Sequence, residues 1–561
     1  MWQHNYTPLD GNLFGSAAIA SLPIVTLLLL LGVLRKPAWI SALSGLATTI
    51  LVALFLYGMP VAHVFSATLF GAAFGLFPIG WIVIGAVFLY RITVETKNFE
   101  VIKYSLGNLT QDRRLQALLI AFAFGAFLEG AAGFGTPVAV AAAMLAGLGF
   151  SPFFAAALCL LANTAPVAFG SIGIPAITLA GITGLPLDRL SAAIGRICAP
   201  VSLFVPGYIV VVMGGWTALA RVFPAALVCG GVFAGLQFLI SNYVGPQLTD
   251  LIASLGSIVA LVLLFMVWKP KDTDRSAAPT QAGGPRHAAG SSGTGAATAT
   301  APLAAPVHYT PRQVLLAWSP YLLLVAVVLL WGWKPMQAPL NSVSKAIAWP
   351  GLHNQIARVP PVTSKVTPYA AVFNFNWLSA AGTSCLIACI LSAFVLRVSP
   401  LRFLKIFGDT LRQLAFAMVT LAAVLGLAYL MNYCGATGTL GLAFAATGAS
   451  FPFFGAILGW LGVFLTGSDT SANALFGNLQ VITATRLNLN PVLMAAANSA
   501  GGVMGKMISL SSIAVAAAAT GMAPEEEAKL FRFTLKHSIF LASLIGLVVL
   551  FYAYVAPGLQ P

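Results

Sequence analysis

Charged side chains are scarce in this sequence. Of its 561 residues, 7% are Asp, Glu, Lys or Arg and 59% are hydrophobic, whereas a soluble globular domain carries roughly 25% charged residues. This composition excludes a soluble enzyme or a soluble binding domain. Several apolar runs reach the roughly 20 residues that a helix needs to cross a bilayer. We therefore expect an all-α polytopic membrane protein embedded in the lipid bilayer.

Acidic residues are the rarer charged group: there are 14 of them against 28 Lys and Arg, a net charge of +14. The basic residues lie mostly between apolar runs, as the positive-inside rule predicts for cytoplasmic loops, so we do not expect nucleic-acid binding. Arg35 and Lys36 follow the first run, whereas the link 58–64 has no Lys or Arg. This alternation predicts that the N-terminus lies outside.

Cysteine spacing typical of a zinc site is also lacking. The six cysteines lie within or beside apolar segments, where a small buried core residue is the simplest interpretation. We therefore expect neither a metal ion nor a cofactor. The N-terminus has no basic n-region, so we expect no cleavable signal peptide.

Residues 269–312 are rich in Ala, Gly, Ser, Thr and Pro and have almost no large apolar side chain. Such a stretch cannot bury enough surface to fold, so it is predicted to be a flexible cytoplasmic linker. It separates an N-terminal transmembrane half, 1–268, from a C-terminal half, 313–561. The apolar runs predict about 12 transmembrane helices plus two re-entrant or broken-helix elements, with both termini outside.

One glycine-rich stretch places a carboxylate among residues suited to hydrocarbon: Gly125 to Pro137, GAFLEGAAGFGTP. Its glycines interrupt a helix, and Thr136 with Pro137 is typical of a cap and first turn that start another. An ionised side chain at membrane depth costs at least about 2.5 to 3.5 kcal/mol, so Glu129 is expected to be protonated, paired or directed into a water-filled cavity. We interpret this segment as part of a transport site.

A counterpart in the second half indicates two inverted structural repeats. The motif GAFLEG at 125–130 resembles GVFLTGSDTS at 462–471, which contains Asp469. Asn163 and Thr164 have counterparts in Asn498 and Ser499, and the spacing from carboxylate to Asn is 34 residues in one half and 29 in the other. Paired Gly/Pro-interrupted segments point to a secondary transporter with its site at the repeat interface.

We therefore expect Glu129 and Asp469 to couple transport to protons, because they are the two acids set deep in apolar sequence. Backbone N–H groups at unwound helix ends favour a substrate carboxylate. On this basis the predicted substrate-binding residues are Gly130, Gly133, Asn163, Thr164, Ser468, Thr470, Ser471, Asn498, Ser499 and Lys506.

These residue types have structural alternatives. Asp469 could cap the second arm of a broken helix. The Asn, Ser and Thr side chains could hydrogen-bond between helices instead of binding substrate. Lys506 could pair with Asp469 or a bound anion, or it could extend its ammonium group to the membrane surface.

The motifs resemble those of the lactate permease family of bacterial inner-membrane carriers. They are GAFLEGAAGFGTP (125–137), NTAPVAFG (163–170), PPV (360–362) followed by YAAVF (369–373), GWLGVFLTGSDTSANAL (459–475), NSAGGVMGKMIS (498–509) and LFRFTLKHS (530–538). This resemblance implies a multi-pass protein of the bacterial cell inner membrane. It also implies uptake of L-lactate, and of D-lactate and glycolate, with a cotransported proton.

The sequence leaves other mechanisms open. Unwound carbonyls with a carboxylate and hydroxyls also make a sodium site, so a sodium-coupled carboxylate carrier or an antiporter is the alternative. An intramembrane hydrolase would need the two carboxylates a few ångströms apart beside a wet cleft, and nothing in the repeat indicates such chemistry. A channel is disfavoured because broken helices in paired halves indicate alternating access.

Overall fold

The computed structural model describes residues 1–133, 135–270, 272 and 309–560. Before the predicted linker the helices are α1 (Leu13–Ala20), α2 (Leu22–Leu28), α3 (Ala38–Leu51), α4 (Val61–Phe74), α5 (Trp81–Glu95), α6 (Asn98–Gly107), α7 (Arg113–Gln116), α8 (Gly125–Ala131), α9 (Thr136–Gly147), α10 (Pro152–Ala162), α11 (Gly170–Thr183), α12 (Leu187–Tyr243) and α13 (Thr249–Val267). After it they are α14 (Pro311–Gly332), α15 (Lys334–Asn341), α16 (Ala381–Val395), α17 (Pro400–Cys434), α18 (Ala436–Phe444), α19 (Phe451–Thr466), α20 (Asp469–Arg486), α21 (Pro491–Gly505), α22 (Leu510–Thr520) and α23 (Pro524–Leu550). The short strands are β1 (Trp2–Gln3), β2 (Lys345–Ala348), β3 (Ile356–Arg358), β4 (Thr367–Pro368) and β5 (Val372–Phe375). Most of the predicted linker, Lys271 and residues 273–308, lies outside the described residues.

Helices of membrane-spanning length dominate the described part of the chain. Ten are long and apolar enough to cross a bilayer, or up to 12 when each of two bent helix pairs counts as one span. The 57-residue α12 doubles back at Gly215, where φ is +73°. Its two arms lie antiparallel, because Ser202 Oγ donates to Gln237 Oε1 at 2.8 Å. The protein is therefore the all-α polytopic membrane protein that the sequence predicted.

The first re-entrant hairpin consists of the continuous helix 113–131, which includes α7 and α8, and the returning helix α9. Its base is closed where Arg113 Nη1 donates to Gly149 O at 2.8 Å. The tip turns at Gly133 and Gly135, whose φ values of +60° and +82° suit glycine. Gly135, not Thr136 as the sequence suggested, occupies the cap position of α9, and Pro137 follows in its first turn.

The second hairpin consists of α19 and α20. It turns at Gly467, where φ is +71°, and Ser468 caps α20 by accepting a hydrogen bond from Ser471 N at 3.2 Å. Ser468 therefore does the capping that the sequence had offered as an alternative role for Asp469. Gln480 Nε2 donates to Gly455 O at 2.8 Å, which holds the two arms antiparallel.

Each hairpin is followed by a span that breaks midway. The first runs through α10 and α11 with a bend of 62°, and the second runs through α21 and α22 with a bend of 42°. The second break lies at Lys506–Ser509. Asn498 and Ser499 lie inside α21, where the backbone hydrogen bonds of the helix continue, and not at an unwound helix end of the kind on which their selection as substrate-binding residues rested.

The two hairpins enter the bundle from opposite faces. The base of the first, at Arg113, lies beside Arg114, which donates to Asp272 O at 2.7 Å at the start of the predicted linker. The outer end of the second lines a cavity with His4 and Tyr6 near the N-terminus. Two hairpins and two broken spans with opposite directions form the predicted inverted repeats.

Glycine permits the close packing of α19 on α21. A methyl group at Gly459 would collide with the backbone of Asn498, and one at Gly501 would collide with the backbone of Ala456. Small residues at such positions let membrane helices approach until their backbones touch. The glycines of both motifs therefore hold the second hairpin rigidly against the second broken span.

The N-terminal strand closes one face of the molecule. β1 pairs in parallel with β3, and β3 pairs antiparallel with β4, while β2 and β5 form a separate antiparallel pair. This pairing places the N-terminus and the loop 334–376 on the same face of the molecule. The halves 1–268 and 313–561 are interleaved, since α17 packs on α3 and α4.

Candidate functional site

A cavity of about 310 Å³ lies where the two hairpin tips meet the two helix breaks. Glu129 and Asp469 both line it, one from each half of the chain. The two side chains are 5% and 3% exposed, so each carboxyl group is buried in protein and faces the same small space. The structure thus brings together the two acids that the sequence singled out.

Four helix N-termini converge on this cavity. Its lining includes Gly135 before α9, Ile174 where the right-handed part of α11 begins after the left-handed residues 171–173, Ser468 before α20 and Ser511 at the start of α22. The first N–H groups of a helix lack intrahelical partners, and the helix dipole adds partial positive charge there. The arrangement therefore suits a bound anion.

The environment of Glu129 is tight and sparsely hydrogen-bonded. Glu129 lies in the last turn of α8, and its Oε2 has no hydrogen-bond partner among the described residues. Gly170 packs against it, since a Cβ built there would lie 2.6 Å from Glu129 Oε1. Asn163 lies close to Glu129, yet neither its amide nitrogen nor its oxygen has a partner in the described part. Glu129 Oε2 therefore has no hydrogen bond to the described protein that would favour one protonation state.

Asp469 is held by a network of hydrogen bonds. Ser499 Oγ donates to Asp469 Oδ2 at 2.5 Å, and Asn473 Nδ2 donates to the same oxygen at 3.3 Å. Asn473 also donates to Pro175 O at 3.2 Å, which ties this network to α11 in the other half. Asn498 supports Asn473 by donating to its Oδ1 at 2.9 Å. Asp469 Oδ2 is thus positioned by side chains of the second half that are anchored to the backbone of α11 in the first half, whereas Oδ1 has no hydrogen-bond partner among the described residues.

Lys506 supplies the positive charge of the cavity. It lies at the second helix break, and its Nζ donates to Gly467 O at 2.6 Å at the tip of the second hairpin. The ammonium group interacts electrostatically with both Glu129 and Asp469. It therefore faces the cavity and does not extend to the membrane surface, which was one alternative. Among the described residues, no cluster of three or more His, Cys, Asp or Glu could hold a metal ion.

The predicted substrate-binding residues fall into two groups. The first group lines the cavity: Ser468, Thr470, Ser471 and Lys506. The second group lies behind its wall: Gly130, Gly133, Asn163, Thr164, Asn498 and Ser499. In the second group, Ser499 and Asn498 act through hydrogen bonds to Asp469 and Asn473, and Thr164 bonds its own helix at Leu161 O.

Sequence reasoning missed Ser171. Its backbone is left-handed with φ +46°, as is that of Ile172, a conformation that costs roughly 1–2 kcal/mol in a residue other than glycine. Ser171 Oγ donates to Ala132 O at 3.0 Å, which joins the first helix break to the first hairpin tip. The preceding NTAPVAFG motif marked this break, but nothing in the sequence predicts left-handed residues other than glycine.

Sequence reasoning also missed Asp250 in α13. Its side chain is 1% exposed, and neither carboxylate oxygen has a hydrogen-bond partner among the described residues. Gly130 packs directly on it, since a Cβ built there would lie 2.9 Å from Asp250 Cβ. Asp250 is therefore a third buried acid near Glu129, although it does not line the cavity.

Comparisons with known proteins show which family this chain resembles over its whole length. The family model described as L-lactate permease matches residues 16–556. The chain is 45% identical over 564 residues to glycolate permease GlcA of Escherichia coli strain K12, covering 100% of this chain and 99% of the relative. It is 44% identical over 578 residues to the L-lactate permease of Bacillus subtilis strain 168, covering 100% of both.

Two solved structures are more distant. MtrF of Neisseria gonorrhoeae is 14% identical with a TM-score of 0.44, covering 88% of this chain and 83% of that chain. The YdaH transporter of Alcanivorax borkumensis is 16% identical with a TM-score of 0.42, covering 88% of each chain.

Proposed function

Because the chain belongs to the L-lactate permease family, we propose that it imports L-lactate, and also D-lactate and glycolate, together with a proton. Family membership and its many spanning helices make it a multi-pass permease of the bacterial inner membrane. Named relatives that carry lactate or glycolate support this substrate class. We assign it no catalytic reaction.

The observation that carries this proposal is the set of helix N-termini around one cavity with a lysine. A 2-hydroxy monocarboxylate offers a carboxylate and a hydroxyl group. The N–H groups near Ile174 and Ser511, with the ammonium group of Lys506, would receive the carboxylate. The hydroxyl groups of Ser468 and Ser471 lie on the same wall and would bind the substrate hydroxyl.

Coupling to a proton would use Glu129. A substrate anion that enters a buried cavity adds a negative charge, which is costly unless it is compensated. Protonation of Glu129 removes one negative charge from the same cavity. Substrate and proton would thus load together, and the hairpins would then move against their surroundings to expose the cavity to the other face.

Asp469 would act as the fixed partner in this cycle. Its carboxylate accepts hydrogen bonds from Ser499 and Asn473 and lies at the N-terminus of α20. Negative charge is favourable at a helix N-terminus. Asp469 would therefore stay ionised and hold Lys506 in place while Glu129 changes its protonation state.

The test is uptake into proteoliposomes that contain the purified protein. We expect labelled L-lactate and glycolate to accumulate when the lumen is more alkaline than the medium, with or without sodium, and a protonophore to abolish the accumulation. Counterflow with lactate, glycolate and pyruvate ranks the substrates, and liposomes without protein are the control. Accumulation that requires a sodium gradient and ignores pH would contradict proton symport and favour the sodium-coupled alternative.

A further inference from the structure

A second polar region lies on the N-terminal face, which is the predicted external face. It consists of two adjoining cavities of about 110 Å³ and 660 Å³. Both are lined by Thr183, Arg358, Tyr369 and Asn478. We call the two together the outer vestibule.

Among the residues that the structure describes, Arg358 is the only charged one in the lining of the outer vestibule. Its guanidinium group stacks on the ring of Tyr369 at 4.6 Å. No acid among the described residues forms an ion pair with it, and its buried Nε has no hydrogen-bond partner there. A guanidinium group presents five donors in a fork that matches a carboxylate. Arg358 is thus held in place with donors left for a ligand.

His4 does not compete for an anion in the outer vestibule. Burial lowers the pKa of His4 to about 4, although a hydrogen bond to Tyr433 O opposes the shift and the nearby charge of Arg358 adds to it. The neutral ring donates from Nε2 to Tyr433 O at 2.9 Å, and its Nδ1 accepts from Tyr6 Oη at 3.1 Å. At neutral pH the positive charge of the vestibule therefore belongs to Arg358 alone.

A packed layer of α11 and α20 separates the outer vestibule from the central cavity. Asn478, near the middle of α20, lines the vestibule. Asp469, the first residue of the same helix, lines the central cavity. Between them Asn473 bonds Pro175 O, and Gly477 packs against Leu179, where a Cβ would lie 2.6 Å from Leu179 Cδ1. The vestibule therefore ends on this packed layer, on the side opposite to the central cavity.

We propose that the outer vestibule is a capture site for small carboxylate anions, in which Arg358 binds the carboxylate before it passes to the central cavity. The inference rests on the proposed function, because the captured anion is the transported substrate. Tyr429, Tyr433 and Asn478 also line the vestibule. Their donors are already used, since the two hydroxyl groups donate to backbone carbonyls and the amide donates to Asn432 Oδ1. The guanidinium group of Arg358 therefore supplies the donors for the carboxylate. Positive charge in a cleft raises the local concentration of an anion and its rate of entry.

The experiment compares initial uptake of labelled L-lactate into right-side-out vesicles for the unsubstituted chain and for Arg358→Gln. We expect KM to rise about tenfold, the size expected when a charge-assisted hydrogen bond is lost, with kcat changed less than about twofold. The KM of the unsubstituted chain should increase with ionic strength, because salt screens the attraction between Arg358 and an anion approaching through solvent, and that of the variant should not. The KM for efflux of lactate from the lumen should be the same in the unsubstituted chain and in Arg358→Gln.

Matched variants separate capture from a structural role. Lys365→Gln removes the same charge from an exposed position of the same loop, outside both cavities, and should leave KM unchanged. Arg358→Lys keeps the charge without the fork and should restore part of the affinity. An unchanged KM in Arg358→Gln, or an equal rise for external and luminal substrate, would overturn the inference.

A second variant decides the question if Arg358→Gln does not reach the membrane. Asn376→Asp places a negative charge in the lining of the larger cavity without touching Arg358. We expect a several-fold higher external KM that grows as ionic strength falls, and an unchanged KM would overturn the inference. Uptake by the unsubstituted chain tests the proposed function separately. If the chain transports lactate but the variants do not change KM as expected, only the capture site is overturned. If the chain takes up no small carboxylate, the capture site and the proposed function are both overturned.

Discussion

Glu129 and Asp469 face the same cavity from opposite ends of their helices. Glu129 lies in the last turn before the first hairpin tip, and Asp469 is the first residue after the second tip. Helix dipoles favour negative charge at an N-terminus and oppose it at a C-terminus. Two inverted repeats have therefore placed their acids in electrostatically opposite positions, which suits one for carrying a proton and the other for staying charged.

The hydrogen bonds follow the same division. Asp469 Oδ2 accepts from Ser499 and Asn473, whereas Glu129 Oε2 has no partner in the described part of the chain. In the repeat, Glu129 corresponds to Thr466, whose hydroxyl group bonds Gly462 O within its own helix. Structural repetition therefore does not imply equal roles, and the following predictions test the difference.

Glu129→Gln should produce the largest effect. A proton symporter with one proton per anion can accumulate substrate up to about tenfold for each pH unit of gradient. We expect the variant to lose this accumulation completely, because the amide cannot pick up and release a proton, while counterflow continues. The measurement is lactate accumulation and counterflow in the same proteoliposomes, and normal accumulation would show that Glu129 is not the proton carrier.

Asp469→Asn should weaken binding but leave the coupling intact. The substitution removes the charge that Ser499 and Lys506 face, and loss of a charge-assisted hydrogen bond costs about 1.5–3 kcal/mol. We expect KM to rise about tenfold with unchanged accumulation per pH unit. Ser499→Ala removes the other partner, so the double variant should be little worse than either single one. Full loss of accumulation in Asp469→Asn would contradict the assignment of proton coupling to Glu129 and of a fixed charge to Asp469.

Two glycine substitutions probe the same contrast through packing. A Cβ at Gly170 would press on Glu129 Oε1, and one at Gly502 would collide with Asp469 Oδ1. Overpacking of this kind costs typically 1–3 kcal/mol. We expect Gly170→Ala to shift the pH profile of uptake and Gly502→Ala to raise KM, both with lower thermal stability. Gly147→Ala, where the new methyl group meets open space, should not lower stability and is the control.

Asp250→Asn should have the smallest effect. Asp250 packs behind Gly130 outside the cavity, and an isosteric amide keeps its volume. We expect uptake and accumulation within about twofold of the values for the unsubstituted chain, since the substitution leaves the lining of the central cavity unchanged. Loss of accumulation would instead make Asp250 a member of the proton pathway.

The sequence allowed prediction of the features that depend on local chemistry. Glycine marks both hairpin tips, with Pro137 following at the first and the capping Ser468 at the second, and the scarcity of acids in apolar sequence identifies Glu129 and Asp469. The family resemblance is confirmed by matches over the whole chain. The roles of the site residues stay predictions.

Features that depend on long-range packing could not be predicted. Asp250 sits near the end of an apolar run and resembles a surface residue in the sequence, but packing of Pro246 against Gly173 brings this segment into the protein interior. The second break falls at Lys506, eight residues beyond Asn498, because α21 continues through a glycine-rich stretch that packs on α19. Local propensity does not report such tertiary support.

The most direct test of the central claim is the infrared difference spectrum on adding L-lactate to the purified protein in lipid. We predict a change in the carbonyl band of a protonated carboxylic acid that is present in the unsubstituted chain and in Asp469→Asn but absent in Glu129→Gln. The same band change in Glu129→Gln, or its loss in Asp469→Asn alone, would contradict the claim that Glu129 carries the proton.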